Sequence, residues 1–282
     1  MSIASSAARS SELRDVHETD RLGAYVNVMW DRRSYVSFVA LQEIRRRQVN
    51  NVLGNLWHLL NPALTIGVYF LIFGLLIKTT RGVDNFLGFL TIGLFVYQFT
   101  QRSTITASKA VVSNRGLLQA IQFPRAILPV SSTVTELLAA LPSFGVMILV
   151  VLSTGQGVSI RWLLFPLVIA LQFVFNLGVG LFVARLTTHV RDTSQILPFV
   201  FRLLLYGSGV IFNVDSYAEG DATLEWLFRL NPMYCLLTLA RWTILGGDLD
   251  IIVLFSAAIW AVAAFLFGFW WFRRAESSYG QQ

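Results

Sequence analysis

The sequence predicts an all-α integral membrane protein with six transmembrane helices, and three observations carry that expectation. The 282 residues are 55% hydrophobic and only 13% charged, about half the charged share of a soluble domain. Six apolar stretches, near 60–78, 87–105, 129–152, 162–184, 195–213 and 250–272, approach the roughly 17–25 residues that a helix needs to cross the hydrocarbon core. With the N-terminus inside, sixteen of the 22 Lys and Arg fall on cytoplasmic segments and five outside. Lys and Arg favour cytoplasmic loops, so both termini are expected in the cytoplasm of a multi-pass inner-membrane protein, a parity that six spans satisfy. The net charge of +6 then reflects loops facing anionic headgroups, and no nucleic-acid partner is implied.

Residues 1–33 read as a polar cytoplasmic tail. No apolar core follows a basic start, so no cleavable signal is expected. Residues 34–61 read as an amphipathic interfacial segment. In "RRRQVNNVLGNLWHLLNP" the apolar positions Val49, Val52, Leu53, Leu56, Leu59 and Leu60 fall on one helical face. Arg45, Arg46 and Arg47 are then set against lipid phosphates and Trp57 at headgroup level. His58 has no carboxylate or cysteine near it in sequence and reads as an interfacial polar contact, with an anionic lipid head as its candidate partner. Pro62 lacks an N–H and marks the expected bend from lying flat to crossing.

Residues 62–274 form the six-span domain, and 275–282 a short cytoplasmic tail. Between the second and third spans, "NRGLLQAIQF" reads as a short amphipathic helix ended by Pro124; a docking element and a plain connector are both open. After the fifth span come two apolar helical segments, 223–230 and 233–245, hinged at Asn231-Pro232. The second is too short to span and reads as re-entrant or interfacial. Arg241 and Trp242 are expected at the outer headgroup level, and the two segments together as a lid over the outer end of a pathway. Glu136 and Arg202 are ionisable groups within spans and so candidates for function, either paired with each other or with Arg202 facing a phosphate. Gly178 and Gly180 allow close helix contact. Pro142 and Pro198 read as kinks or span starts.

Several chemistries are missing. Cys235 is the one cysteine, and His17, His58 and His189 are scattered, so no metal-binding spacing exists. The lysines are Lys78 and Lys109 alone and neither follows a glycine, which excludes a G-x-x-x-x-G-K-[ST] phosphate loop. No catalytic cluster is expected, and a permease driven by a separate energy-supplying subunit fits this pattern.

Four blocks, "NNVLGNLWHLLNPALTIGVYFLIFG", "LLQAIQFPRAILPVSS", "RDTSQILPFVFRLLLYGSGVIF" and "LNPMYCLLTLARWTILGG", resemble in order and spacing the ABC-2 type permeases that export polysaccharides, over roughly Leu41 to Arg274. The resemblance implies a homodimer with two ATP-binding subunits, which hold the ATP and Mg; this chain carries no cofactor. Asn114, Arg115, Leu117, Leu118, Ile121, Phe123 and Arg125 would then form the coupling helix and its flanks. Trp226, Asn231, Pro232, Arg241 and Trp242 would belong to the external gate helices. The pathway would lie between the two copies, with lateral access near the first and fifth spans. A polyprenyl-pyrophosphate-linked glycan would engage Arg45, Arg46, Arg47, His58 and Arg202 through its pyrophosphate. Phe70, Phe73, Phe95, Tyr97, Phe99, Phe201 and Tyr206 are candidates to stack on passing sugars, against a plainer role in packing. "RRRQVNN" replaces the Lys or Tyr-Lys frequent in the family, and "YGSGVIF" lacks a frequent Pro. The polar tail is similar to actinobacterial members, which would make the cargo a cell-wall galactan. The alternatives are an O-antigen or teichoic acid type exporter, an ABC-2 drug or lipid exporter, and a membrane enzyme acting on a polyprenyl-linked sugar.

Overall fold

The computed structural model describes residues 33–46, 57–76, 83–114, 116, 124–214, 216 and 221–275, and among them every regular element is a helix. In chain order these are α1 (Arg33–Arg46), α2 (Trp57–Tyr69, continued as a π-helix over Phe70–Leu76), α3 (Phe86–Ser113) and α4 (Ile127–Ser153). A 3₁₀ turn (Ile160–Leu164) leads into α5 (Phe165–His189), followed by α6 (Thr193–Gly207), α7 (Ala222–Arg229), α8 (Pro232–Leu245) and α9 (Ile251–Arg274).

α3 is the axis of the bundle. Asn85 caps it by accepting from the Gly88 N–H at 2.9 Å, and most of its length is buried on all sides. Contacts between residues fix the direction of its neighbours. Phe99 meets Phe144 edge-on at 6.1 Å and Thr106 bonds to Glu136, so α4 runs antiparallel to α3. The Gln172 amide donates to Val96 O at 2.6 Å and Thr100 Oγ1 at 2.8 Å, while Gly180 faces Ala107, so α5 runs parallel to α3. Tyr97 Oη donates to Phe201 O and Arg241 bridges Phe89 to Val210, so α6 is antiparallel. α9 is parallel to α5, with Phe182 beside Phe267 and Arg185 beside Trp271. Direction therefore alternates from α3 through α6, as a chain threading back and forth requires.

The α5–α9 seam is the tightest. A Cβ on Gly178 would lie 2.2 Å from the Ala264 carbonyl carbon, and one on Gly268 would lie 2.0 Å from Gly178 O. Only glycine permits that approach, the small-residue packing through which apolar helices associate in lipid.

Among the described residues three helices are long and apolar enough to cross a membrane: Ile127–Ser153, Ile160–His189 and Ile251–Arg274. The other three expected spans differ for identifiable reasons. α3 is long, but from Gln98 onward it carries Gln98, Gln101, Arg102 and Lys109. α2 is apolar only over Ala63–Leu76. α6 ends at Gly207, so its 15 residues reach about 22 Å at 1.5 Å per residue, below the roughly 30 Å of a hydrocarbon core. Ser208 and Gly209 break it, Gly209 with φ +65°, in the left-handed region that suits a helix end.

Two expectations for the N-terminal region change. α2 begins at Trp57 and runs through Asn61-Pro62 as one helix, so Pro62 does not separate two helices and Trp57 and His58 sit on α2 itself. α1 packs along α4 with Ala40 fully buried, so this part of the interfacial segment leans on protein. Residues 1–32, 47–56 and 276–282, and with them Arg47 and the apolar face from Val49 to Leu56, lie outside the described residues.

Candidate functional site

The two short segments after α6 meet the rest of the bundle at one joint. Asn231 serves both sides of it. Its Oδ1 accepts from the backbone N–H of Met233 at 2.9 Å and of Tyr234 at 3.4 Å, capping α8, while Pro232 occupies the first helical position, where its missing N–H costs nothing. Its Nδ2 donates to Gly207 O at 3.3 Å and Ser208 Oγ at 3.2 Å, at the terminus of α6. One side chain thus ends one helix and begins another.

Arg241 completes the joint, its side chain turned into the protein. It is buried, 8% exposed. Its Nη1 donates to Gly209 O at 2.9 Å, its Nη2 to Val210 O at 2.8 Å and its Nε to Phe89 O at 3.3 Å. The guanidinium carbon lies 3.4 Å from the Phe89 ring centroid, a cation–π geometry. The break after α6 leaves carbonyls that no helix can satisfy, and Arg241 supplies the donors. Gly93 makes room, since a Cβ there would sit 2.4 Å from Arg241 Nη2.

The far end of α8 is also held. Trp162 Nε1 donates to Ile244 O at 3.1 Å, Gln156 Nε2 to Leu245 O at 3.1 Å, and Arg161 Nη1 to Gly247 O at 3.0 Å. Arg161 also lies 5.6 Å over the half-buried Trp242 ring. α8 is therefore a core helix packed on α3, α5 and α9. The exposed element is α7, which buries no residue and leaves Trp226 51% exposed. Its C-terminal carbonyls are taken by α9: Ser256 Oγ donates to Arg229 O at 2.9 Å and Trp260 Nε1 to Leu230 O at 2.8 Å. Arg229 pairs with Asp250 at 3.2 Å.

The seven candidate aromatics divide. Phe95, Tyr97, Phe99 and Phe201 are buried and pack within the protomer, though Phe95 and Phe99 also border a small cleft between α3 and α4 with Gln98, Arg102, Glu136 and Ser143. Phe70 and Phe73 are half-buried on the π-helix, Phe73 joined by Tyr69 at 5.9 Å. Tyr206 is exposed on α6. Beside it stand Ile196, Phe199 and Leu203 and the exposed Arg202, whose guanidinium lies 5.8 Å over Phe199. Glu136 is buried on α4 and accepts from Thr106 Oγ1 at 2.9 Å; it does not pair with Arg202.

Of the coupling-segment candidates, Asn114 caps α3, its Nδ2 donating to Ala110 O at 2.8 Å. Arg125 lies in the turn that starts α4, where Pro124 O accepts from the Ile127 N–H. Arg115, Leu117, Leu118, Ile121 and Phe123 lie outside the described residues, as do the side chains of Arg45, Arg46 and His58. No group of acidic, His or Cys residues able to hold a metal occurs among the described residues.

Sequence reasoning missed Gln156, Arg161, Trp162, Gly93 and Ser256. A Trp and an Arg side by side in a short loop were a visible signal for the second and third; the others carried none.

Residues 36–245 match the family described as ABC-2 type transporter, and the chain belongs to that family. The match runs from α1 through α8 and stops short of α9. The chain is 27% identical over 213 residues to the O-antigen export system permease protein RfbA of Myxococcus xanthus, covering 76% of this chain and 81% of that one. It is 25% identical over 210 residues to the protein of the same name from Klebsiella pneumoniae, covering 74% and 79%. It is 24% identical over 218 residues to the polysialic acid transport protein KpsM of Escherichia coli, covering 75% and 81%.

Proposed function

We propose that this chain is the permease subunit of an ABC exporter that moves a polyprenyl-pyrophosphate-linked polysaccharide across the cytoplasmic membrane. The observation that carries the reading is the similarity over three quarters of the chain to relatives named for O-antigen export and polysialic acid transport.

In this reading α2, α3, α4, α5, α6 and α9 are the six spans, and the alternation of helix direction supports it. The short α2 and α6 leave an exposed face that includes Leu64, Val68, Phe199, Leu203 and Tyr206, and a second copy would meet the first there. Two ATP-binding subunits beneath the dimer supply ATP and Mg, with the segment from Asn114 to Arg125 as their seat. Arg202, exposed with its aromatic neighbour Phe199, is the described cation best placed to meet a pyrophosphate, alongside Arg45 to Arg47 and His58. Mechanistically, nucleotide-driven closure below would displace the coupling segment, and α3 and α4, whose ends it joins, would carry that movement through the bundle to the joint at Asn231 and Arg241. The finer assignment, a cell-wall galactan, rests on the likeness of the N-terminal tail to actinobacterial members.

The test is depletion of the protein followed by extraction of membrane lipids. Accumulation of a defined glycan on polyprenyl pyrophosphate is expected, and its sugars name the cargo. A normal lipid-linked pool would refute polysaccharide export, and an absent pool would identify an enzyme of its synthesis.

A further inference from the structure

We propose that the inner ends of α5 and α9 form a binding site for the phosphate of an anionic phospholipid. Arg185 and Arg274 stand at that end of the seam, each laid on its own tryptophan: the Arg185 guanidinium carbon is 3.9 Å from the Trp271 centroid and that of Arg274 is 4.4 Å from the Trp270 centroid. The two indoles are neighbours, with centroids 6.3 Å apart. Phe267 stacks on Trp271 at 6.1 Å and 15°, so the cations rest on a continuous aromatic platform.

Charge is what the site lacks. Among the described residues no carboxylate pairs with either guanidinium; the ion pairs there join Arg229 to Glu225 and to Asp250, on the opposite side of the molecule. Arg185 gives one N–H to Trp271 O, but its Nε and the Trp271 indole Nε1 are buried with no acceptor. Two orphaned donors within one cation–π contact mark a place where an acceptor is missing. A phosphate oxygen at the exposed Arg274 and the half-buried Arg185 would supply the negative charge, and guanidinium groups recognise that geometry through paired N–H donors.

The surroundings select a lipid over a soluble anion. α9 exposes Val262, Leu266, Phe267 and Trp270 along its length, an apolar face for acyl chains directly beyond the arginines. Trp and Arg together at a helix end are the signature of headgroup level. α9 packs on α5, α7 and α8, and neither α2 nor α6 is among its principal neighbours, so this lipid would be separate from the exported cargo. The inference rests on α9 crossing the membrane as proposed above, and not on what the protein exports.

The experiment is native mass spectrometry of the full-length protein with phosphatidylglycerol and phosphatidylcholine of matched acyl chains. Preferential retention of phosphatidylglycerol is expected. The variant Arg185→Gln/Arg274→Gln should weaken it about thirtyfold, from roughly a fivefold contribution per basic residue near an anionic surface. Arg274→Gln alone, at an exposed position, guards against misfolding and should account for about a fivefold part. Lys109→Gln, exposed on α3, should change nothing. Equal retention of the two lipids, an unaffected double variant, or displacement of phosphatidylglycerol by excess inorganic phosphate would each overturn the proposal. Because binding is read without transport, failure here leaves the export assay informative.

Discussion

Arg241→Met, alone and combined with Gly93→Ala, tests whether the buried arginine holds the outer joint. Arg241 satisfies Gly209 O and Val210 O just past the end of α6, and methionine fills much of its volume without replacing a donor. Two buried carbonyls left unpaired cost about 1–3 kcal/mol each. Relief from burying a charge offsets part of that, which leaves a net loss of about 2–4 kcal/mol. Gly93→Ala attacks the same contact from the other side, because its Cβ would lie 2.4 Å from Nη2 and 2.9 Å from Val210 O. It should cost about 1–3 kcal/mol, the usual penalty for overpacking. The two costs should not add: once the guanidinium is gone, the methyl group has lost its main obstruction, and a coupling of at least about 1 kcal/mol is expected. Thermal unfolding of the purified protein in detergent reads this as a Tm drop of about 2–4 °C per kcal/mol for a chain of this size. Strictly additive shifts would show that the guanidinium and Gly93 do not share a site, and the account of the joint would fail with them.

Three further outcomes follow from described positions. Gly178→Leu drives a side chain into the backbone of α9, where even a Cβ would meet Ala264 at 2.2 Å; α5 and α9 must part, and folded protein recovered from membranes should fall severalfold, whereas Gly145→Leu, with nothing within 4 Å, should leave it unchanged. Cys235 is fully buried, burial pushes its thiol pKa up, and its Sγ donates to Arg229 O at 3.1 Å; a maleimide should label the native protein only slowly and the denatured protein fully, since the thiolate is the reactive form. The double change Leu117→Asp/Ile121→Asp should abolish ATP-dependent export while leaving membrane insertion intact, and full export by that variant would remove the coupling role from the segment.

The helices were largely legible because each signal was local. Asn before Pro announced the start of α8, apolar length announced α4, α5 and α9, and Gly178 announced a close crossing without saying which helix would come close. Burial was not legible. Hydropathy gives α8 too few residues to span, but how much of a short apolar helix is covered depends on the space that α3, α5 and α9 leave, which no local pattern encodes; the contacts of Arg241 could therefore not be read in advance. The aromatics failed to declare themselves for a similar reason. A helix apolar all round offers no periodic cue to separate Phe201, which packs inward, from Tyr206, which does not.

The fastening of α8 has a mechanical consequence. It is held at its first turn by Asn231, in its second half by Arg241, and at and just past its last turn by Gln156, Trp162 and Arg161. These anchors are spread over about 21 Å of helix and attach to α6 at one extremity and to the α4–α5 connection at the other. An element so fixed serves as an axle rather than a flap: a displacement of α6 is delivered across the width of the protomer to the link between α4 and α5. α7, which buries no residue, is then a short arm hung between that axle and the first turns of α9.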